Sequence, residues 1–252
     1  MPERDPQPGR LEGRVAVVTG AGRGIGRAIA RGYAEAGAAV CCLARTASEV
    51  EATAAEIAAG GGRALAAAAD VRDAEAVARA YEATAQAFGG LDILVLNAGI
   101  DPARGRVGEC DPEIWRETLE VNLVGAYTCA RLVIPHLRRR GAGKIITVGS
   151  GLGHRGMAGR SAYSASKAGL WMFTRVLAQE LAPDRISVNE LIPGPVLTSI
   201  AAAADPETVS SPVFENEWLK APEDVVPLAL FLATQPDAGP TAQSWSLLRR
   251  DG

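Results

Sequence analysis

Arg14-Val15-Ala16-Val17-Val18-Thr19 runs without a break into Gly20-Ala21-Gly22-Arg23-Gly24-Ile25-Gly26. The first six residues are short, apolar and rich in valine, and read as a buried strand. The glycines read as a tight turn, and the apolar-periodic stretch beyond them, as far as Gly37, reads as a helix. The same alternation continues along the chain. Further strands are expected at 39–44, 63–69, 91–96, 144–148, 185–192 and 243–248, with helices at 46–59, 73–88, 112–140, 160–181 and 223–233. Asp73 and Asp111 are placed as N-caps, and Pro112 suits a first helical position. Strands that alternate with helices and are apolar throughout form a parallel sheet covered on both faces. Right-handed crossovers make this a doubly wound α/β sheet of the Rossmann kind. No linker, repeat or low-complexity boundary appears. A single domain is expected over 11–252, after a flexible polar tail at 1–10 and with a less regular, lid-like stretch at about 195–220.

Composition narrows the function classes. The chain has 252 residues, enough for a sizeable core. Its net charge of −3 offers no electrostatic footprint for nucleic acid. The one dense basic run, Arg138-Arg139-Arg140, reads as the cationic last turn of a helix. The four cysteines, Cys41, Cys42, Cys110 and Cys129, form no Cys-x-x-Cys pair, and only two histidines accompany them. Neither a metal site nor a disulfide framework follows. No apolar run reaches membrane-spanning length and the first residues lack a signal-peptide core, so a cytoplasmic protein without membrane partners is expected.

In a doubly wound sheet the ligand binds outside the carboxyl ends of the strands. Gly20, Gly24 and Gly26, with Arg23 and Ile25 between them, sit there. Such glycines bring backbone against a pyrophosphate at a helix N-terminus, which points to dinucleotide binding. At the end of the second strand an acidic residue suits the ribose of NAD and an arginine suits the 2′-phosphate of NADP. The chain has Ala44-Arg45 there and no carboxylate, and Arg23 adds a second cation. NADP(H) is therefore the preferred cofactor and NAD(H) the alternative.

Tyr163-Ser164-Ala165-Ser166-Lys167 opens the helix expected at 160–181. Four residues apart, Tyr163 and Lys167 point from one face. The ammonium favours phenolate, so the tyrosine pKa is expected to fall from about 10 towards neutrality. A tyrosine tuned in this way can give or take a proton.

Taken together, these segments resemble the short-chain dehydrogenase/reductases, and within them the ketoreductases and 3-oxoacyl-ACP reductases. The resemblance spans Arg14 to about Leu248. It rests on Thr19 to Gly26, Asp70-Val71, Leu96-Asn97-Ala98-Gly99, Val121-Asn122-Leu123, Ser150 thirteen residues before Tyr163, and Pro193-Gly194-Pro195-Val196-Leu197-Thr198. The Asn-Asn-Ala-Gly segment of the family has leucine at its first position here. The resemblance implies a hydride transfer between the nicotinamide cofactor and a small-molecule carbonyl or alcohol substrate. It implies Tyr163 as proton donor or acceptor and Lys167 as the group that tunes it and holds the nicotinamide ribose. It implies Ser150 on the substrate oxygen and Asn122 holding a water that links Lys167 to solvent. Asp70 and Val71 would meet the adenine, Asn97 and Gly99 the ribose region, and Pro193, Val196 and Thr198 the nicotinamide end. A homo-oligomer, tetramer or dimer, through the helices at 112–140 and 160–181 is also implied.

Glu190 departs from the family pattern, and reads as a subunit contact or a salt bridge. His154 reads as a substrate contact or a solvated loop histidine, and His136 as structural. Phe214 and Trp218 read as lining an apolar substrate pocket or packing the lid.

Overall fold

The computed structural model describes residues 10–198 and 218–248. The expectations for the tail, and most of those for the lid, including Phe214, lie outside these residues. Seven parallel strands form one sheet in the order β3-β2-β1-β4-β5-β6-β7. In chain order they are β1 (Val15–Thr19), β2 (Ala39–Ala44), β3 (Arg63–Ala68), β4 (Ile93–Leu96), β5 (Gly143–Val148), β6 (Ile186–Ile192) and β7 (Ser244–Ser246). The helices are α1 (Gly24–Glu35), α2 (Ala47–Ala59), α3 (Ala74–Phe88), α4 (Pro112–Leu119), α5 (Gly125–Arg140), α6 (Leu152–Arg155), α7 (Ser161–Leu181) and α8 (Val226–Ala233). The doubly wound sheet expected from the alternation is present.

The two faces follow from the period-2 alternation of strand side chains. Val15 and Val17 pack with Tyr81, Val133 and Leu177, under α3, α5 and α7. Ala16 and Val18 pack with Ile29, Tyr33 and Leu232, under α1 and α8. Two phenols in these cores are satisfied by carbonyls: Tyr33 donates to Ala229 (2.9 Å) and Tyr81 to Cys129 (3.3 Å). Cys41 and Cys42 are fully buried.

Asp73 and Asp111 cap α3 and α4 as read, accepting from Ala76 and Glu113. The long helix expected at 112–140 is instead two α-helices joined by a π turn at Glu120–Val124. The extra residue in that turn swings Asn122 inward. Its amide donates to the Ile100 carbonyl (2.8 Å) and the Ser166 hydroxyl (3.1 Å), and its Oδ1 accepts from the Ile100 N–H (2.8 Å).

One buried carboxylate locks the far end of the sheet. Asp92 is 1% exposed, accepts from the Val15 N–H (2.8 Å) and pairs with Arg14 (3.4 Å) and Arg140 (2.9 Å). Both arginines are half exposed and return to water if the acid is removed, so the lasting loss is the buried backbone bond and its charge. Asp92→Ala is expected to cost about 2 kcal/mol. Urea unfolding checks this as a lower midpoint with an unchanged slope.

Candidate active site

The site begins where β1 ends. Thr19 Oγ1 donates to the Val95 carbonyl (3.1 Å) and accepts from the N–H groups of Asn97 and Ala98 (3.0 Å each). Asn97 Nδ2 returns to the carbonyls of Thr19 (2.9 Å) and Gly20 (3.4 Å). The ends of two neighbouring strands are thereby fixed to one turn. Gly20 and Gly24 lie at φ of +66° and +54°, the left-handed region that glycine adopts freely. A Cβ on Gly26 would collide with the Gly20 carbonyl. Thr53 on α2 anchors the loop from the other side by donating to the Ala21 carbonyl (3.0 Å).

This turn lines a cleft together with Arg45, Asp70, Val71, Gly99 and Thr198. A second cleft adjoins it, lined by Ser150, Tyr163, Lys167, Pro193, Val196 and others. Ile25, Asn97, Gly99 and Thr198 border both. Most of the sequence-predicted residues thus line one continuous groove at the carboxyl ends of the strands, while Gly26 and Asn122 lie outside its lining. The turn, with its backbone free of side chains and its α1 N-terminus, fits a dinucleotide pyrophosphate.

Arg45 is exposed and makes no hydrogen bond or ion pair among the described residues. Arg23, read as a second cation, pairs with Glu49 (3.6 Å). Glu49, on the first turn of α2, lines the same end of the groove as Arg45; it lies beyond the strand-end position at which a sequence displays a cofactor-reading carboxylate. Asp70 is held by Arg72 through two bonds (3.0 and 2.7 Å), and that pairing keeps its carboxyl below the usual range. Val71 packs under the π turn, where a Cβ on Gly125 would meet it.

At the catalytic end, Tyr163 and Lys167 share a face of α7, with Lys167 Nζ 5.7 Å from the Tyr163 ring centre. Lys167 is 3% exposed and donates to the Val148 carbonyl (2.8 Å). Burial pulls its pKa down to about 8, against the opposing pull of Glu190. The Tyr163 pKa moves opposite to expectation. Burial raises it above the ordinary value, and the Ser150 hydroxyl, Arg160 and Arg104 oppose this only in part. Local sequence displays the neighbouring ammonium but not the desolvation of the phenol.

Both amide hydrogens of Asn122 are committed to Ile100 and Ser166, which leaves its Oδ1 as the side-chain atom able to accept from a water. This Oδ1 and Lys167 Nζ face one spot, lying 3.3 and 3.7 Å from the position a Cβ on Gly99 would take. Ser150 Oγ accepts from the Leu152 N–H (3.2 Å) at the start of α6, a short helix that the glycine-rich sequence concealed. Glu190 forms a salt bridge inside the chain: it accepts from His154 Nε2 (3.0 Å) and Ser244 Oγ (2.5 Å). His154 is an exposed residue whose ring lies tilted against Trp171, with ring centres 5.0 Å apart.

The sequence profile of the short chain dehydrogenases matches residues 14–208. The chain belongs to that family. With the family comes its class, an oxidoreductase acting on CH–OH groups. A cis-4-hydroxycyclohexanecarboxylate dehydrogenase of Sinomonas cyclohexanicum is 39% identical over 88% of this chain and 89% of its own length. A 3-oxoacyl-[acyl-carrier-protein] reductase of Aquifex aeolicus is 35% identical over 90% and 92%. Among solved structures, a 3-ketoacyl-(acyl-carrier-protein) reductase of Brucella melitensis complexed with NADH superposes with a TM-score of 0.86. It is 34% identical, over 94% of this chain and 97% of that one. A Beutenbergia cavernae protein assigned as a gluconate 5-dehydrogenase, with bound NADP, has a TM-score of 0.86 and 42% identity over 95% and 97%. Among the described residues no helix is long and apolar enough to cross a membrane, and no cluster of His, Cys, Asp and Glu is arranged for a metal.

The depressed Lys167 pKa has a consequence for stability. A lysine with a folded pKa near 8 and an unfolded value near 10.4 leaves the unfolded state binding more protons between the two. Its contribution to stability therefore rises with pH across that window. Lys167→Met lacks this ionisation. The unfolding free energy of the wild type relative to the variant should increase from about pH 8 to about pH 10, and urea unfolding at several pH values measures it.

Proposed function

We propose that the chain transfers a hydride between NADP(H) and a carbonyl or secondary alcohol, working as a reductase of a ketone or 3-oxoacyl compound. The observation that carries this reading is the joined groove: the glycine turn opens directly onto Ser150, Tyr163 and Lys167 across shared walls at Asn97 and Gly99. When bound, the nicotinamide supplies the hydride. The protein binds, orients and handles the proton. Ser150 hydrogen-bonds the substrate oxygen and steadies its negative charge as it forms. Tyr163 delivers the proton from its hydroxyl, and burial keeps it protonated and ready to donate in the reducing direction. Lys167, fixed by the Val148 carbonyl, places a positive charge beside the phenolate left behind. Asn122 positions the Ile100 backbone and Ser166, and so the floor beneath Lys167.

Arg45 supports NADP(H) over NAD(H), because an unpaired guanidinium at the end of β2 can bind a 2′-phosphate bidentately. Glu49 opposes it, and its pairing with Arg23 confines that opposition to one neighbour. A cofactor-sensing protein without chemistry is the weaker reading. A buried lysine held under a tyrosine and a serine is costly to fold around, and sensing does not require it. The exposed Tyr127 and Val124 near α5, with Met172 and Val176 on α7, support association of copies through those helices.

Tyr163→Phe is expected to lower turnover by about a thousandfold while NADPH still binds, checked by steady-state kinetics beside fluorescence titration of the cofactor. Comparable turnover in the variant would remove Tyr163 from the proton's path. Arg45→Ala should raise the Michaelis constant for NADPH about tenfold more than that for NADH. Equal effects on both would shift the preference to NAD(H).

A further inference from the structure

We infer that the substrate carries a carboxylate, held by Arg155 at the wall of the groove beside Ser150. The inference rests on the hydride-transfer reading above and narrows it to oxo and hydroxy acids.

The catalytic cleft is lined by Ser150, Tyr163, Asp101, Arg155, Arg160 and Leu248, among others. Its charges are not all free. Asp101 is buried and ion-paired with the buried Arg160, and Arg104 approaches the same carboxylate at 3.3 Å. Both arginines are ion-paired to Asp101 Oδ2, while Asp101 Oδ1 and Arg104 Nη2 are buried without a hydrogen-bond partner among the described residues. Arg155 differs: among the described residues it has no hydrogen-bonding or ionic partner for its guanidinium. The residue is exposed, and its backbone is fixed. The Gly153 N–H bonds to the Ser150 carbonyl (3.0 Å) and the Arg155 N–H to the Gly151 carbonyl (3.1 Å), so the short helix α6 ties Arg155 to the Ser150 turn. Its Nη2 lies 3.7 Å from where a Cβ on Gly151 would be, one residue beyond Ser150, with Leu248 packed on the same spot.

Cations outnumber anions around this position. Arg155, Arg160 and Lys167 line the cleft with Asp101 as its one acidic lining residue among the described residues, while Glu190 lies behind Gly149 and is held by His154 and Ser244. Such a cleft attracts an anion and repels a cation. Of the two guanidinium groups lining this cleft, Arg155 is the one unpaired among the described residues, and it is able to take a carboxylate through two parallel bonds. A substrate anchored there presents its carbonyl to Ser150 and Tyr163 from a fixed distance. In reduction the carbonyl carbon gains the hydride supplied by NADPH, its oxygen gains the proton of Tyr163, and the carboxylate stays ionised throughout.

The test compares acids with neutral counterparts. Pyruvate, acetoacetate and levulinate are each offered with NADPH beside their methyl esters. At least one acid is expected to exceed its ester in kcat/KM by about tenfold or more. Arg155→Gln should close that gap through KM, and Arg155→Lys should keep part of it. Esters used as well as acids, or a gap untouched by Arg155→Gln, overturns the inference. A second arm reads binding alone: pentanoate and pentanamide are titrated into the enzyme loaded with NADPH, followed by cofactor fluorescence. Pentanoate is expected to bind more tightly than the amide, and about tenfold less tightly to Arg155→Gln than to wild type. Equal binding of acid and amide overturns the inference whatever the turnover. Preferential binding of pentanoate through Arg155 with no carbonyl reduced supports the anion site and removes the hydride-transfer reading instead. Reduction of neutral ketones with Arg155 indifferent does the reverse.

Discussion

There is no room for a side chain between Gly20 and Gly26. A Cβ on Gly26 would overlap the Gly20 carbonyl, and one on Gly20 would come within 2.8 Å of Asn97 Nδ2. That close approach lets the end of β1, the end of β4 and the N-terminus of α1 converge on one turn. The rest of the site depends on it in sequence. Asn97 can reach the carbonyls of Thr19 and Gly20 only because the turn is tight, and this bond places Gly99 two residues later. Gly99 in turn leaves open the spot that Asn122 Oδ1 and Lys167 Nζ face. A steric constraint at the glycine turn thereby shapes the end of the groove where Lys167 and Tyr163 lie.

The fold was legible because each strand announces itself locally. Valine-rich runs bounded by glycine, and aspartates one residue before apolar periodicity, carry their own signals. Strand β2 at 39–44 and the N-cap at Asp73 lie where the sequence placed them. What was hidden depends on partners distant in the chain. Glu120–Val124 contains ordinary helix formers, and nothing local marks a π turn. It is held open by Asn122 bonding Ile100, 22 residues away, and by Val71 filling the space over Gly125. Helix α6 reads as a loop because of its glycines. A Cβ on Gly153 would come within 2.8 Å of the Lys167 carbonyl carbon, so this glycine serves packing against α7.

The site was legible in its residue types and less so in their electrostatics. Tyr163, Lys167, Ser150 and the glycine turn meet as the motifs implied. The sign of the tyrosine shift did not follow, since a neighbouring lysine is visible in sequence and burial is not. The partner of Arg23 was hidden for the same reason: Glu49 lies 26 residues further on, and only the packing of α2 against the turn brings them together.

Glu190 shows how the chain meets the cost of that burial. A lysine ammonium 3% exposed is strongly disfavoured unless opposite charge lies within reach. Glu190, in the middle of β6 and 1% exposed, opposes the downward pull on Lys167. It makes no ion pair with the ammonium among the described residues, and its oxygens accept from His154 and Ser244. It acts across the strand end instead, under Gly149, where a Cβ would overlap its Oε1. A residue that stood out as a departure from the family pattern thus makes sense as charge balance. The buried cation needs a buried anion, the anion needs donors of its own, and His154 and Ser244 supply them.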